Sequence, residues 1–201
     1  TPASSQPRAI EIAPDNKWYI EKKAQFLVQQ REYKSAAKIY ESLALGNPTK
    51  IEYFEDWARC FLYINDFKSA LEVYDAIESN YGFNEDFCLS KIEILDHIKA
   101  YDNALVEIKR LLERYPNNVD FLNMIANTYW KKGDKTNTLL YLNKIISLDS
   151  TNSTAYLSLH DFYKEQKDSI QSFYYLNKAF RCQDMNIDSK MQILLAYYSA
   201  S

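Results

Sequence analysis

Apolar and polar residues alternate along the chain with helical spacing, in paired segments separated by short polar breaks. Between Ile51 and Ile64, apolar residues recur at i, i+3, i+4, i+7 and i+8, which is the spacing of one face of an α-helix. The break at Asn65–Phe67 ends this segment, and a second apolar stripe follows between Lys68 and Ser79. Because Asn and Asp favour turns, the pattern predicts two helices joined by a short turn.

The same pair of segments recurs every 34 residues, without insertion or deletion. The segment "YKSAAKIYESL" begins at Tyr33, "FKSALEVYDAI" at Phe67 and "YDNALVEIKRL" at Tyr101, and weaker copies begin at Lys135 and Ser169. A fixed period of this length is typical of a repeat array, in which each repeat packs only on its neighbours. The sequence therefore predicts an all-α solenoid of antiparallel helix pairs.

Small residues recur where the two helices of a pair are expected to cross, and a large residue follows one turn later on the second helix. Small side chains allow this close packing. Later repeats depart from the rule, with Ile92, Thr138, His160 and Ser172 at the small positions. The residues that follow the rule are Ala24, Ala58 and Ala126 in first helices and Ala36, Ala70 and Ala104 in second helices.

These features resemble the tetratricopeptide repeat, a 34-residue helix–turn–helix unit with small residues at two crossings and proline in the linker. Pro48 and Pro116 occupy the linker position here. The resemblance implies a right-handed superhelical solenoid whose first helices line a concave face; a generic helical bundle or a HEAT-type solenoid would need a different or irregular period. It divides the chain into the tail of a preceding repeat or an N-terminal extension (1–16), five repeats (17–50, 51–84, 85–118, 119–152 and 153–186), and the first helix of a sixth repeat or a cap (187–201).

The resemblance also predicts which side chains of the first helices face the concave groove. Acidic side chains outnumber basic ones there, so we expect a basic or neutral polypeptide segment as partner. Tyr63 and Trp130 are the expected amphipathic anchors. A basic carboxylate clamp for chaperone tails is disfavoured by the acidic residues on these faces. The predicted partner-binding residues are Glu55, Arg59, Tyr63, Glu93, Asp96, His97, Asn123, Asn127, Trp130 and Lys131.

Composition excludes several other functions. The net charge of −3, from 24 basic and 27 acidic side chains, provides no basic track for nucleic acid. No apolar run is long enough to predict a membrane span. Three dispersed glycines form no phosphate loop. The carboxylates adjacent to His97 and His160 point to different sides of a helix, and Glu93, one turn before His97, is interpreted as a surface pair. We therefore predict no catalytic residues, no cofactor and no metal site.

The three cysteines, Cys60, Cys88 and Cys182, are widely spaced and odd in number. This argues against a disulfide framework or a zinc site, so we interpret them as unpaired packing thiols. The C-terminal helix is a candidate for homodimer formation, because an uncapped solenoid end exposes apolar residues. The residues expected at this contact are Leu194, Leu195, Tyr197 and Tyr198.

The leading interpretation is a non-enzymatic protein–protein interaction scaffold, serving the assembly of a larger complex. The alternative is an accessory repeat domain of a larger bacterial envelope or secretion machine, or of an enzyme. The pattern "WYIEKKAQFLVQQREYKSAAKIYESL" from Trp18 onward resembles long repeat proteins of bacterial cell envelopes, which implies the envelope or periplasm. Unpaired cysteines count against an oxidising compartment and leave the cytoplasm as the alternative.

Overall fold

The computed structural model describes residues 16–199, with side chains described as far as Ala196. The described residues form eleven α-helices and no strand. The first helices of the repeats are α1 (Lys17–Gln29), α3 (Ile51–Tyr63), α5 (Glu85–His97), α7 (Val119–Lys132), α9 (Ser153–Glu165) and α11 (Ile187–Ser199). The second helices are α2 (Tyr33–Gly46), α4 (Phe67–Tyr81), α6 (Tyr101–Arg114), α8 (Lys135–Leu148) and α10 (Ser169–Arg181).

The helix boundaries follow the predicted period. First helices begin at 17, 51, 85, 119, 153 and 187, and second helices at 33, 67, 101, 135 and 169, so each step is 34 residues. The predicted all-α repeat fold is therefore confirmed. The N-terminal extension assigned to 1–16 lies almost wholly outside the described residues, and the domain limits given above stay predictions.

Polar caps recur with the same period. Asn side chains accept a backbone hydrogen bond at the start of α1, α5, α7 and α9, and Asp side chains do so at the start of α4, α8 and α10. Such caps satisfy N–H groups that have no partner within the helix. The capping residues are Asn16, Asn84, Asn118 and Asn152 for first helices and Asp66, Asp134 and Asp168 for second helices.

The turn inside every repeat contains one residue in the left-handed region. The φ angles there lie between 57° and 83°, a conformation that costs an L-residue energy and that glycine adopts freely. Only one of the five positions is a glycine, so four repeats place a side chain on strained backbone. The five residues, again 34 apart, are Arg31, Asn65, Lys99, Gly133 and Lys167.

The helix crossings are closely packed, as the small residues predict. Ala58 and Ala70 are fully buried where α3 meets α4. In the last full repeat, the exceptions His160 and Ser172 are also buried, and the Ser172 hydroxyl lies 2.8 Å from Nδ1 of His160. A hydrogen-bonded pair thus replaces two small side chains at that crossing.

The chain divides into two compact halves, Thr1–Ile98 and Lys99–Ser201, called here the N-terminal and C-terminal halves. The core of the N-terminal half centres on Tyr40, Phe54 and Ile77, and that of the C-terminal half on Leu122 and Leu159. All three cysteines are buried, and none of them forms a disulfide bond within the described residues. Among the described helices, none combines the length and the apolar character that crossing a membrane requires.

Candidate functional site

An open recess of about 340 Å³ lies in the N-terminal half, between the first helices α1 and α3. Tyr40 reaches it from the second helix α2, which packs behind both. Because α1 and α3 are first helices of successive repeats, the recess lies on the face that the sequence assigns to partner binding. Its lining residues are Gln25, Val28, Gln29, Tyr40, Asp56, Arg59, Cys60 and Tyr63.

Asp56 is the electrostatic centre of this recess. One carboxylate oxygen lies 3.0 Å from Nη1 of Arg59, and Tyr40 lines the same recess. Burial nevertheless raises the pKa of Asp56 above its ordinary value, while Arg59 and Tyr40 act to lower it. Burial also raises the pKa of the neighbouring Cys60 thiol to about 11, so this cysteine is a poor nucleophile at neutral pH.

A second open recess, of about 430 Å³, lies in the C-terminal half between the first helices α7 and α9. Thr138 and Leu142 of the second helix α8 form part of its lining. Asp120 is the one charged residue among those that line it, so this recess is close to neutral. The lining residues are Asp120, Asn123, Met124, Ala126, Asn127, Trp130, Thr138, Leu142, Thr154 and Ser158.

The two recesses occupy the same place in the repeat. Four lining positions of the first recur in the second, each three repeats later in the chain. A feature produced twice by the repeat geometry is a property of this array rather than a local irregularity. The equivalent pairs are Gln25 and Asn127, Val28 and Trp130, Tyr40 and Leu142, and Asp56 and Ser158.

The C-terminal recess holds polar groups that are available to a ligand. Within the described part of the chain, the side-chain amides of Asn123 and Asn127 make no hydrogen bond. They are four residues apart on α7, so they lie on the same face one turn apart. Trp130, one turn further on, is held in place because its indole N–H donates to a carboxylate oxygen of Glu165 at 2.8 Å.

Five of the ten predicted partner-binding residues line these recesses. Arg59 and Tyr63 meet in the N-terminal recess, and Asn123, Asn127 and Trp130 meet in the C-terminal one. The other five are not among the lining residues of either recess: Glu55, Glu93, Asp96, His97 and Lys131.

Tyr63 and His97, which occupy the same position in successive repeats, pack against the start of the preceding second helix. Tyr63 stacks on Tyr33 with ring centroids 4.7 Å apart, and His97 meets Phe67 at 4.8 Å. Tyr63 remains 54 % exposed. These two side chains therefore contribute to the packing of successive repeats as well as to the first-helix surface.

The predicted acidity of this surface is partly balanced by nearby cations. The ammonium group of Lys50 lies 2.8 Å from Glu21 and holds the pKa of that carboxyl below its ordinary value. Asp56, which is not among the predicted partner-binding residues, is paired with Arg59. The available acidic charge is thus smaller than a count of residues indicates.

Sequence reasoning missed the residues that form the floor of each recess. Tyr40 and Leu142 belong to second helices, where the apolar pattern marks them only as packing positions. Thr154 and Ser158 belong to the repeat that follows Asn123. The 34-residue register could have predicted these residues, because it places one second-helix position between two successive first helices.

Ser172, His160 and Asp161 lie next to one another and are the residue types of a hydrolase triad. They do not have the geometry of such a triad. Ser172 and His160 are both buried, and Asp161 lies 3.8 Å from Nε2 of His160. A nucleophile needs access to its substrate, so this group is a packing contact. Within the described residues, no cluster of three His, Cys, Asp or Glu side chains is placed to hold a metal ion.

The predicted homodimer contact falls at the end of the chain. Leu194 and Leu195 are exposed on α11, whereas the side chains of Tyr197 and Tyr198 lie outside the described residues. Homodimer formation stays a prediction.

Comparison with known proteins identifies the fold. No protein-family model matches the chain, and no curated protein matches it. Among solved structures, MamA 41-end from Desulfovibrio magneticus RS-1 is similar at a TM-score of 0.59, with 16 % identity over 85 % of this chain and 98 % of that one. YrrB, described as a TPR protein with an unusual peptide-binding site, is similar at a TM-score of 0.58, with 14 % identity over 93 % and 96 %. The chain therefore has the helical-repeat fold of the tetratricopeptide-repeat proteins.

Proposed function

We propose that the chain is a non-enzymatic interaction scaffold that binds a polypeptide segment in the recess of its C-terminal half. The observation that carries this proposal is the pair of amides on Asn123 and Asn127, which have no hydrogen-bond partner in the described structure. They lie beside the apolar side chain of Leu142 and the fixed ring of Trp130. A site that binds a peptide needs this combination of backbone-binding groups and an apolar contact.

Each asparagine amide offers both a donor and an acceptor, which match the N–H and C=O groups of an extended peptide. Two such amides one helical turn apart can hold successive peptide groups. Trp130 and Leu142 then receive an apolar side chain of the segment. Because Glu165 already fixes Trp130, little ordering entropy is lost on binding.

The near-neutral lining supports a neutral or basic segment as ligand. A ligand carboxylate at this recess would approach Asp120 without meeting any cation among the lining residues. The N-terminal recess supplies Arg59 and Asp56 together, which suit a polar contact. We propose that this recess binds a further portion of the same partner, within a larger complex.

The experiment is a selection from a random peptide display library against the intact chain, followed by calorimetric titration of the enriched peptides. We expect enriched peptides to be extended, with a central apolar residue and no net negative charge. Asn127→Ala and Trp130→Ala should each weaken binding by roughly tenfold or more, the usual loss for a central contact.

Asn143→Ala is the matched control, because Asn143 is an exposed asparagine on α8 that lies outside both recesses. It should leave the dissociation constant unchanged. Equal loss of affinity in Asn143→Ala and Asn127→Ala, or enrichment of acidic peptides, would show that the recess is not the binding site. An accessory repeat domain of a larger machine would use the same recess and is subject to the same test.

A further inference from the structure

The outer face of α10 differs in composition from the rest of the chain. Five exposed or half-exposed side chains recur at helical spacing along one side of this helix. Its opposite side buries Ser172, Leu176 and Ala179. The residues of the outer face of α10 are Ile170, Phe173, Tyr174, Lys178 and Arg181.

The apolar side chains of this face are exposed to solvent. Ile170 is 82 % exposed and Phe173 is 67 % exposed, and Tyr174 follows on the same side. Such large apolar groups are costly to leave in water. Clustered on one face, they mark a surface that contacts something else.

All charged side chains on the second helices α8 and α10 are basic. Neither α8 nor α10 contains an acidic residue, although the chain has more acidic than basic side chains. Lys178 lies over the Tyr174 ring, 5.5 Å from its centroid, and Lys144 of α8 donates to the Pro116 carbonyl at 2.9 Å. Neither contact neutralises the ammonium charge.

The same arrangement begins one repeat earlier. Leu140 and Lys144 of α8 occupy the repeat positions of Tyr174 and Lys178, and Leu140 is also exposed. On α6 the corresponding basic residue is Arg110, which is balanced by Glu107 at 2.6 Å. The surface of unbalanced basic charge and exposed apolar side chains is therefore formed by α8 and α10.

We propose that the outer face of α10 binds the surface of an anionic lipid bilayer. Apolar and aromatic side chains beside Lys and Arg, with no acidic residue, are the composition of helices that lie at a membrane interface. Ile170 and Phe173 enter the acyl boundary, Tyr174 lies at the headgroup level, and Lys178 and Arg181 contact lipid phosphates. An acidic protein would match the charges, but it would also need pockets for two protruding apolar side chains.

The test is co-sedimentation of the intact chain with vesicles of phosphatidylcholine containing about 30 % phosphatidylglycerol, and with vesicles of phosphatidylcholine alone. We expect binding to the anionic vesicles that weakens as salt is raised. The double substitution Lys178→Glu with Arg181→Glu should reduce partitioning by roughly tenfold or more. Ile170→Ser with Phe173→Ser should reduce it by a similar factor.

The matched control carries the same charge change elsewhere. Lys34→Glu with Lys38→Glu, both exposed on α2, should leave partitioning within about twofold of the original chain. All substituted residues lie at the surface, and circular dichroism checks that each variant folds. Absence of binding to anionic vesicles, or equal loss in the α2 control, would overturn the proposal. Binding of poly-glutamate that depends on Lys178 and Arg181, without vesicle binding, would assign the face to an acidic protein instead.

Discussion

Tyr40 and Asp56 line the same recess, so the second helix of one repeat meets the first helix of the next through these two side chains. One repeat later, Tyr74 and Ser90 occupy the same two positions, and Ser90 acts to lower the pKa of Tyr74 that burial raises. The repeat therefore keeps a tyrosine at the first position and a polar side chain at the second, and that polar group changes from a carboxyl to a hydroxyl. Only the first pair places a half-buried acid in a recess.

Asp56→Asn should stabilise the chain at neutral pH. Burial raises the pKa of Asp56, so the folded state binds this proton more tightly than the unfolded state. The resulting stabilisation is present below the unfolded pKa and is lost as pH rises through the folded pKa. Asparagine remains uncharged at every pH and has nearly the same shape as aspartate. Chemical denaturation should show a gain over the original chain at pH 7 that disappears towards pH 4; a gain confined to pH 4 would contradict this account of Asp56.

Glycine at the left-handed turn positions should increase stability. Lys99 and Lys167 have φ angles of 59° and 60°, which cost an L-residue about 1 kcal/mol. Lys167→Gly is therefore expected to raise the free energy of unfolding by about 0.5–1 kcal/mol, and Gly133→Ala should lower it by about 1 kcal/mol. Denaturant titration gives both values. Lys23→Gly, in the middle of α1, is the control and should destabilise the chain by about 0.5–1 kcal/mol. Equal effects of glycine at residues 23 and 167 would show that the positive φ angle does not determine the gain at residue 167.

Substituting Lys91 should reduce the stability of the chain more than substituting most other charged residues. It is buried on α5, where its ammonium group lies 2.7 Å from Asp75 and 3.3 Å from Glu78 of α4. Lys91→Ala removes the cation from a largely buried carboxylate and should destabilise by about 3 kcal/mol. The double variant Lys91→Met with Glu78→Leu should recover most of that loss, because an apolar pair replaces the ion pair.

Lys68 supplies the control for this prediction. It is exposed on α4 and lies 3.7 Å from Glu72, so Lys68→Ala should cost less than about 0.5 kcal/mol. A loss at Lys91 no larger than that at Lys68, or a double variant as unstable as Lys91→Ala, would show that burial does not determine the effect.

Tyr63→Ala should destabilise the chain although Tyr63 is half exposed. Its ring stacks on Tyr33, and an aromatic pair contributes about 0.5–1.5 kcal/mol beyond the burial of area. Tyr63→Phe keeps the ring and should cost little. Leu45→Ala, at an exposed position on α2, is the control. An unchanged midpoint of thermal unfolding in Tyr63→Ala would mean that the stack does not couple the two repeats.

The repeat period and helix pairing were predictable because the apolar stripes and the small crossing residues recur every 34 residues. The conformation of the turns was harder to predict from the sequence. The sequence marks two of them, one with Asn65 and Asp66 and one with Gly133, but Arg31, Lys99 and Lys167 share no turn-forming chemistry. Their left-handed conformation is imposed by the helices on either side. Lys91 was likewise hidden, because the later repeats have apolar Ile125 and Leu159 at its position. Only the structure brings Glu78 to it.

The candidate site was predictable in part, for a physical reason. Residues such as Asn123, Asn127 and Trp130 follow from the orientation of one first helix, which the apolar stripe determines. The floor of each recess depends on how deeply Tyr40 or Leu142 reaches between two first helices, which depends on packing. Tyr63 and His97 were correctly placed on first helices, but their contacts with Tyr33 and Phe67 depend on the neighbouring repeat.

The most direct test of peptide binding in the C-terminal recess is a nuclear magnetic resonance titration of the labelled intact chain with a selected peptide. The side-chain amide signals of Asn123 and Asn127 and the indole N–H signal of Trp130 report on the recess itself. We predict that these three signals shift together and saturate at one equivalent of peptide, while the Asn143 amide stays fixed. Shifts confined to Asn143 and the outer surface of α8, with the Asn123, Asn127 and Trp130 signals unmoved, would contradict the account.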